Sequence, residues 1–98
     1  MPFAIEFAEI TSVRLAYLRP SERSLVIAAV KRLLANEPLT ETRNRKPMRP
    51  NRLATWELRV QHLRVFYDVD SAKALVKVLA IGRKIKDKLI IGREYIQL

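Results

Sequence analysis

Ninety-eight residues with no cysteine and a single histidine exclude a disulfide framework and a thiolate metal site, and the length suits one domain, 1–98. The formal net charge is +9, and no segment approaches the roughly 20 apolar residues of a membrane span; the longest clearly apolar run, Leu25 to Val30, has six. The charge is lopsided: residues 1–40 hold five Lys/Arg and four Asp/Glu, whereas residues 41–98 hold fourteen and six. A basic half on a small domain points to a polyanion partner, with a merely solvated surface as the alternative.

The opening segment, MPFAIEFAEI, has no basic n-region and carries two glutamates, so it does not read as a signal peptide; the expected location is cytoplasmic. Phe3, Ile5 and Phe7 alternate with Ala4, Glu6 and Ala8, which is strand period. Ile10, Val13 and Tyr17 then recur at helical spacing and predict a short helix. Arg19-Pro20-Ser21-Glu22 marks a second helix start, with Pro20 as first helical residue or Ser21 as N-cap. Leu25, Val26, Ala29, Val30, Leu33 and Leu34 form one apolar stripe, predicting a helix over 21–35. Pro38 requires it to stop by Asn36-Glu37.

Residues 38–52, PLTETRNRKPMRPNR, show no apolar periodicity and contain three prolines. They read as a long loop carrying Arg43, Arg45, Lys46, Arg49 and Arg52. Loops of that length in small domains are usually functional or disordered.

The segment Trp56 to Asp70, WELRVQHLRVFYDVD, reads as a hairpin of strands 56–60 and 63–69 around Gln61-His62. A two-residue loop pairs Val60 with Leu63, Arg59 with Arg64, Leu58 with Val65, Glu57 with Phe66 and Trp56 with Tyr67. One face is then wholly apolar: Trp56, Leu58, Val60, Leu63, Val65 and Tyr67. The other carries Glu57, Arg59, Arg64, Phe66 and Asp68. Two arginines directly opposite each other cost roughly 0.2–1 kcal/mol, so folding alone does not explain them; gripping an anion does. A solvated face on which Arg59 and Arg64 pair with Glu57 and Asp68 is the structural alternative.

Asp70-Ser71-Ala72-Lys73 makes the next turn. Leu75 to Ile81 is a strand, read with Val76, Val78 and Ala80 on one face and Lys77 on the other. Gly82-Arg83-Lys84 is read as its end. Leu89-Ile90-Ile91 and Tyr95-Ile96 form a last hairpin around Gly92 or a docked tail. The class is α+β: an N-terminal strand and two helices, a helical hairpin, packed on one face of a three- to four-stranded mainly antiparallel sheet. Val26, Val30 and Leu33 should meet Trp56, Leu58 or Tyr67, and the opposite face should be open to a ligand. Phe66 would then stack a base there or pack beneath Leu79 or the C-terminal tail.

The chemistry this composition offers is arginine chemistry. There is no nucleophile triad and, with only Gly82 and Gly92, no glycine-rich phosphate loop. Guanidinium binds phosphate bidentately and stays charged at any working pH. An arginine pair beside a carboxylate suits cleavage of RNA by its own 2′-OH. Arg59 and Arg64 would stabilise charge on the scissile phosphate, and Glu57 would take the hydroxyl proton.

The "W-E-L-R-V" strand, the "L-R-V-F-Y-D-V-D" strand, the closing "A-I-G-R-K" and the order of elements resemble the RelE/ParE superfamily of toxins from type II toxin–antitoxin pairs. The resemblance implies a toxin that acts as an mRNA endonuclease, free or on the ribosome, with translation inhibition as the outcome, and that is neutralised by a cognate antitoxin. It implies no cofactor. The same family includes inhibitors of DNA gyrase, and a non-catalytic RNA- or ribosome-binding module is a third reading. Arg64 matches the arginine opening the family's second hairpin strand, used on phosphate by RNA-cleaving members. Arg59 falls near a basic position, and Glu57-Leu58-Arg59 looks like the "E-L-R" of the HigB-like branch. Arg83 and Lys84 sit where the family keeps a basic residue after its last core strand, and Lys86 follows them. With Arg45, Lys46, Arg49 and Arg52 they form the expected RNA-binding set. RNA-cleaving members often carry Tyr or His at a C-terminal position that falls near Ile90 here; Tyr95 is close but out of register.

Overall fold

A computed structural model describes residues 2–97; Met1 and Leu98 lie outside the described residues. The chain opens with β1 (Ala4–Phe7), then α1 (Glu9–Arg14), which tightens into a 3₁₀ turn over Leu15–Tyr17. Helix α2 (Pro20–Ala29) widens into a π-helical turn over Val30–Leu34. The strands are β2 (Arg45–Pro47), β3 (Trp56–Val60), β4 (Leu63–Asp70), β5 (Leu75–Ile85), β6 (Lys88–Ile91) and β7 (Glu94–Ile96).

Pro20 is the first residue of α2, where its missing N–H costs nothing, and Glu22 closes the turn by accepting the Arg19 backbone N–H at 2.8 Å. The helical stripe lies across the sheet as its spacing requires. Val26, Val30 and Leu34 are fully buried in one cluster with Leu58, Val60, Leu63, Val65 and Tyr67, and Leu33 and Trp56 pack against it. The Trp56 and Tyr67 rings stack with centroids 6.1 Å apart. The Tyr67 hydroxyl donates to Pro38 O at 2.7 Å, which anchors the chain leaving the helix. Burial raises the Tyr67 pKa far above its ordinary value, against the opposing pull of nearby Arg45.

The sheet runs β2-β3-β4-β5-β6-β7, with β1 also on β5. It is longer than the expected three or four strands, because β5 serves two neighbours in succession. Its first part, Leu75–Val78, pairs parallel with β1, and its last part, Gly82–Ile85, pairs antiparallel with β6. Gly82 therefore does not end the strand. It lets β6 come close: a Cβ there would lie 2.8 Å from the Ile90 carbonyl oxygen. The tail is a hairpin, with Gly92 at φ +64 between β6 and β7.

Two further expectations change. The loop 38–52 contributes the edge strand β2, pairing Arg45 with Leu58, Lys46 with Glu57 and Pro47 with Trp56. Such a strand has no apolar alternation to announce it, and proline is tolerated at an edge. The second change is a β-bulge. Phe66 pairs with Ala80 but Tyr67 with Val78, so Leu79 is an extra residue on β5. Ala80 is thereby moved off the face of Val76 and Val78 and joins the opposite side. The carbonyl of Leu79 accepts a hydrogen bond from Thr11 Oγ1 at 2.7 Å.

The face opposite the helices is open over only part of its area. Phe66 is fully buried there beneath a second cluster of Ala54, Ala80, Leu89 and Ile91, with Met48, Leu53, Leu79 and Ile96 against it. It packs and stacks no base. Its cover, the β6–β7 hairpin and the 48–54 loop, walls the remaining opening.

Candidate phosphate-binding cleft

The hairpin carries the register that its alternation dictates: Val60 faces Leu63, Arg59 faces Arg64, Leu58 faces Val65, Glu57 faces Phe66 and Trp56 faces Tyr67. Gln61 takes the left-handed conformation, φ +56, that a two-residue turn demands. The turn is held from both sides. Lys84 N–H donates to the His62 carbonyl at 2.7 Å, and His62 Nε2 bonds the Glu22 carboxylate.

Directly opposed, the two arginines have different surroundings. Arg59 is exposed and its Nε donates to Glu57 Oε1 at 3.1 Å. Arg64 is half-buried, and its Nη1 donates to two backbone carbonyls, Gln61 O at 2.7 Å and Leu63 O at 2.9 Å. Among the described residues it makes no ion pair. Asp68, the alternative partner, instead accepts from Thr55 N–H and Oγ1, both at 2.7 Å. Partial burial lowers the Arg64 pKa; Glu57 opposes this and Arg59 adds to it. The group still keeps its charge at any working pH. The result is a partly desolvated guanidinium, fixed by neutral acceptors, whose other N–H groups bond no side chain among the described residues.

Arg64, Glu57 and Lys84 form the floor of a cleft of about 430 Å³, walled by Asp87, Leu89 and Ile96. Through Ile96 it continues into a second hollow of about 400 Å³ shared with Arg52 and Leu53. The loop there is ordered by one side chain. Asn51 Oδ1 accepts Leu53 N–H at 2.7 Å and Ala54 N–H at 3.0 Å, while its Nδ2 donates to Arg49 O at 2.6 Å. Arg49 and Arg52 are thus presented from a rigid loop, both exposed. Lys46 lies opposite Glu57 and shares its face, and Lys86 is exposed on the β5–β6 turn at φ +56. The fold brings Arg64, Arg59, Glu57, Lys84 and Lys46 to one face and Arg52 to its end.

Two expected members of the set are elsewhere. Arg45 is 5% exposed, on the helix side of β2 opposite Leu58. Its Nε donates to Thr40 O at 2.7 Å and its Nη1 to Leu33 O at 3.0 Å, with Glu37 at 3.7 Å. It fastens the loop to the end of α2. Arg83 pairs with Leu63 and points to the helix face, where Nη2 donates to Tyr17 O at 2.7 Å and Glu22 Oε1 at 2.8 Å. Strand alternation separates it from Lys84, its chain neighbour. Glu22 is the hub of this network. Burial alone would raise its pKa, but hydrogen bonds from Arg83, His62 and the Arg19 N–H more than offset that and hold it at about 2. No spacing in the sequence signals that residues 22, 62 and 83 meet. The hairpin of β6 and β7 is one of the two readings the sequence offers for the tail, but nothing in it signals that this hairpin walls the cleft.

Ile90 does not enter the cleft. It pairs with Arg83 and with Tyr95, so all three share the helix-side face. Among the described residues no group of three or more His, Cys, Asp or Glu side chains could hold a metal ion, and no helix is long and apolar enough to cross a membrane.

No family model and no curated protein matches the chain. Solved structures do. A chain of the toxin–antitoxin complex RelBE2 from Mycobacterium tuberculosis is similar at 25% identity and TM-score 0.75, over 86% of this chain and 93% of that one. A chain of the archaeal RelE–RelB complex from Pyrococcus horikoshii OT3 is similar at 15% identity and TM-score 0.70, over 88% and 99%. The fold is RelE-like, as the hairpin motif implies.

Proposed function

We propose that this RelE-like chain is the toxin of a toxin–antitoxin pair and that its cleft takes the backbone of mRNA and cleaves it. The observation carrying the reading is Arg64: a half-buried guanidinium on the floor of an open cleft, opposite a second arginine and with no ion-pair partner among the described residues. Such a group supports phosphate binding because its N–H fork matches two phosphate oxygens and its desolvation is already met. In the reaction, a ribose 2′-oxygen attacks the adjacent phosphorus and the 5′-oxygen leaves, giving a 2′,3′-cyclic phosphate. Arg64 and Arg59 neutralise the charge that builds on the phosphoryl oxygens. Glu57, in the cleft, takes the 2′-OH proton. Lys84, Lys46 and Arg52 carry the flanking phosphates, with Arg49 and Lys86 further out. The antitoxin as partner is supported by the complexes in which the similar structures occur.

A second reading is favoured by one feature. Among the described residues lining the cleft there is no His or Tyr to protonate the leaving 5′-oxygen. This suits a chain that binds without cutting: a gyrase inhibitor, or a module holding RNA or the ribosome. Inducible expression with mapping of cellular RNA ends separates them. Codon-phased cuts, absent in Arg64→Ala, support the endonuclease. DNA-damage signalling without cuts selects gyrase, and no growth effect selects the module.

A further inference from the structure

Helix α1 is built inside out. Its buried residue is a threonine, Thr11 at 2% exposure, bonded to the bulge carbonyl of β5. Its apolar stripe faces water: Ile10 is 51% exposed, Val13 62% and Tyr17, in the following turn, 42%. An i, i+3, i+7 stripe normally faces the core. The patch does not end with the helix. Arg83 Nη2 reaches the Tyr17 carbonyl, and the row Arg83–Ile90–Tyr95 crosses β5, β6 and β7 on that same side of the sheet. Tyr95 is 68% exposed and Ile85 49%. The opposite side of this hairpin supplies the cleft wall through Leu89 and Ile96. One thin element therefore carries the cleft on one face and an uncovered apolar surface on the other.

Cations frame that surface. The Arg93 guanidinium lies 4.9 Å from the Tyr17 ring centroid, and Lys88 Nζ lies 5.1 Å from that of Tyr95. The Arg14 side chain packs at Gly92, within 3.3 Å of where a Cβ would be. Glu9 is the acidic group at the start of the helix, and Glu94 sits on the other face in register with Ile91. A second copy of the chain is a poor occupant, because each brings a net charge of +9 and the same cationic frame.

We infer that the exposed face of α1, Tyr17 and the β6–β7 hairpin docks an amphipathic helical segment of the protein partner, its apolar stripe on Ile10, Val13, Tyr17 and Tyr95 and its acidic flanks on Arg14, Lys88 and Arg93. This rests on the toxin–antitoxin reading, and it assigns the antitoxin a seat away from the cleft. Apolar anchors supply the affinity, and the cations set orientation and on-rate.

The test uses the full chain and the purified protein encoded by the neighbouring reading frame. Hydrogen exchange on the complex should show protection of 9–17 and 88–96. Val13→Asp with Tyr17→Ala should weaken binding about tenfold or more, with melting temperature unchanged because both residues are exposed. Arg14→Glu with Arg93→Glu, an independent variant pair, should slow association and flatten its salt dependence. Tight binding with protection elsewhere and no effect of either pair overturns the docking surface and leaves the toxin reading standing. No binding at all overturns both. A dimer of the chain alone, broken by Val13→Asp, assigns the face to a second copy and also overturns the inference.

Discussion

Arg64 and Arg83 stand on neighbouring strands, one register step apart, and meet opposite fates. Arg83 faces the helices, where Glu22 takes its charge at 2.8 Å. Arg64 faces the cleft, where among the described residues only backbone carbonyls take its N–H groups. In sequence both are ligand-facing candidates of a basic half, Arg64 as the phosphate arginine and Arg83 as one of the RNA-binding set. Burial does not separate them, since both are intermediate. The difference is the carboxylate. An arginine neutralised by a buried glutamate is committed to joining α2, the hairpin turn and β5; one held by neutral acceptors keeps its charge for a ligand.

The largest expected effect tests the helix side as a whole. Leu58 is 1% exposed beneath α2, and Leu58→Ala should cost on the order of 2–5 kcal/mol, read by denaturant unfolding. Next is the hub. Glu22 is depressed from 4.5 to about 2, which corresponds to about 3 kcal/mol of stability. A depressed carboxylate contributes that stability fully above its ordinary pKa and loses it as pH falls through the folded value. The melting temperature should therefore drop between about pH 5 and pH 2, and Glu22→Gln should remove much of that dependence while lowering stability at pH 7. A pH profile identical in wild type and Glu22→Gln would make Arg83 as free as Arg64.

Smaller effects sharpen the cleft side. Binding of single-stranded RNA should weaken steeply with salt, each phosphate contact adding roughly 0.7 to the log–log slope. Neutralising Lys46, Arg49 and Arg52 together should flatten that slope without changing the melting temperature. Arg45→Ala should instead destabilise the protein, because it leaves the carbonyls of Leu33 and Thr40 and the end of α2 unfastened. If Arg45→Ala flattened the slope and left stability intact, the division between structural and ligand-facing cations would be wrong.

What the sequence could show follows from range. The hairpin is local, so alternation and a two-residue turn fix which residues face each other, and the Arg59–Arg64 pair is legible without coordinates. The α2 stripe is equally local. The bulge at Leu79 is not, because the extra residue exists only relative to the partner strand; it moved Ala80 to the other face. Strand β2 escaped notice because its pattern is polar and its one buried side chain, Arg45, is a charge satisfied by the carbonyls of Thr40 and Leu33 rather than by an apolar alternation. The Glu22 network joins residues 40 and 61 positions apart, a distance at which no periodicity speaks. The cleft floor was thus readable, and the tail hairpin was one of two readings, but its place as the cleft wall and the removal of Arg83 were not.

The most direct measurement compares Arg64→Ala and Arg83→Ala side by side, scoring RNA cleavage and melting temperature on the same purified proteins. Arg64→Ala should lose about 10²–10³ in rate, as for other electrostatic donors to a transition state. Its melting temperature should hold or rise, since a repulsive cross-strand pair is relieved. Arg64→Lys should recover only part, because a point charge cannot make the bidentate contact. Arg83→Ala should melt several degrees earlier and keep its rate per folded molecule. Arg64→Ala that melts early, or that stays stable and fully active, would contradict the assignment of Arg64 to the phosphate.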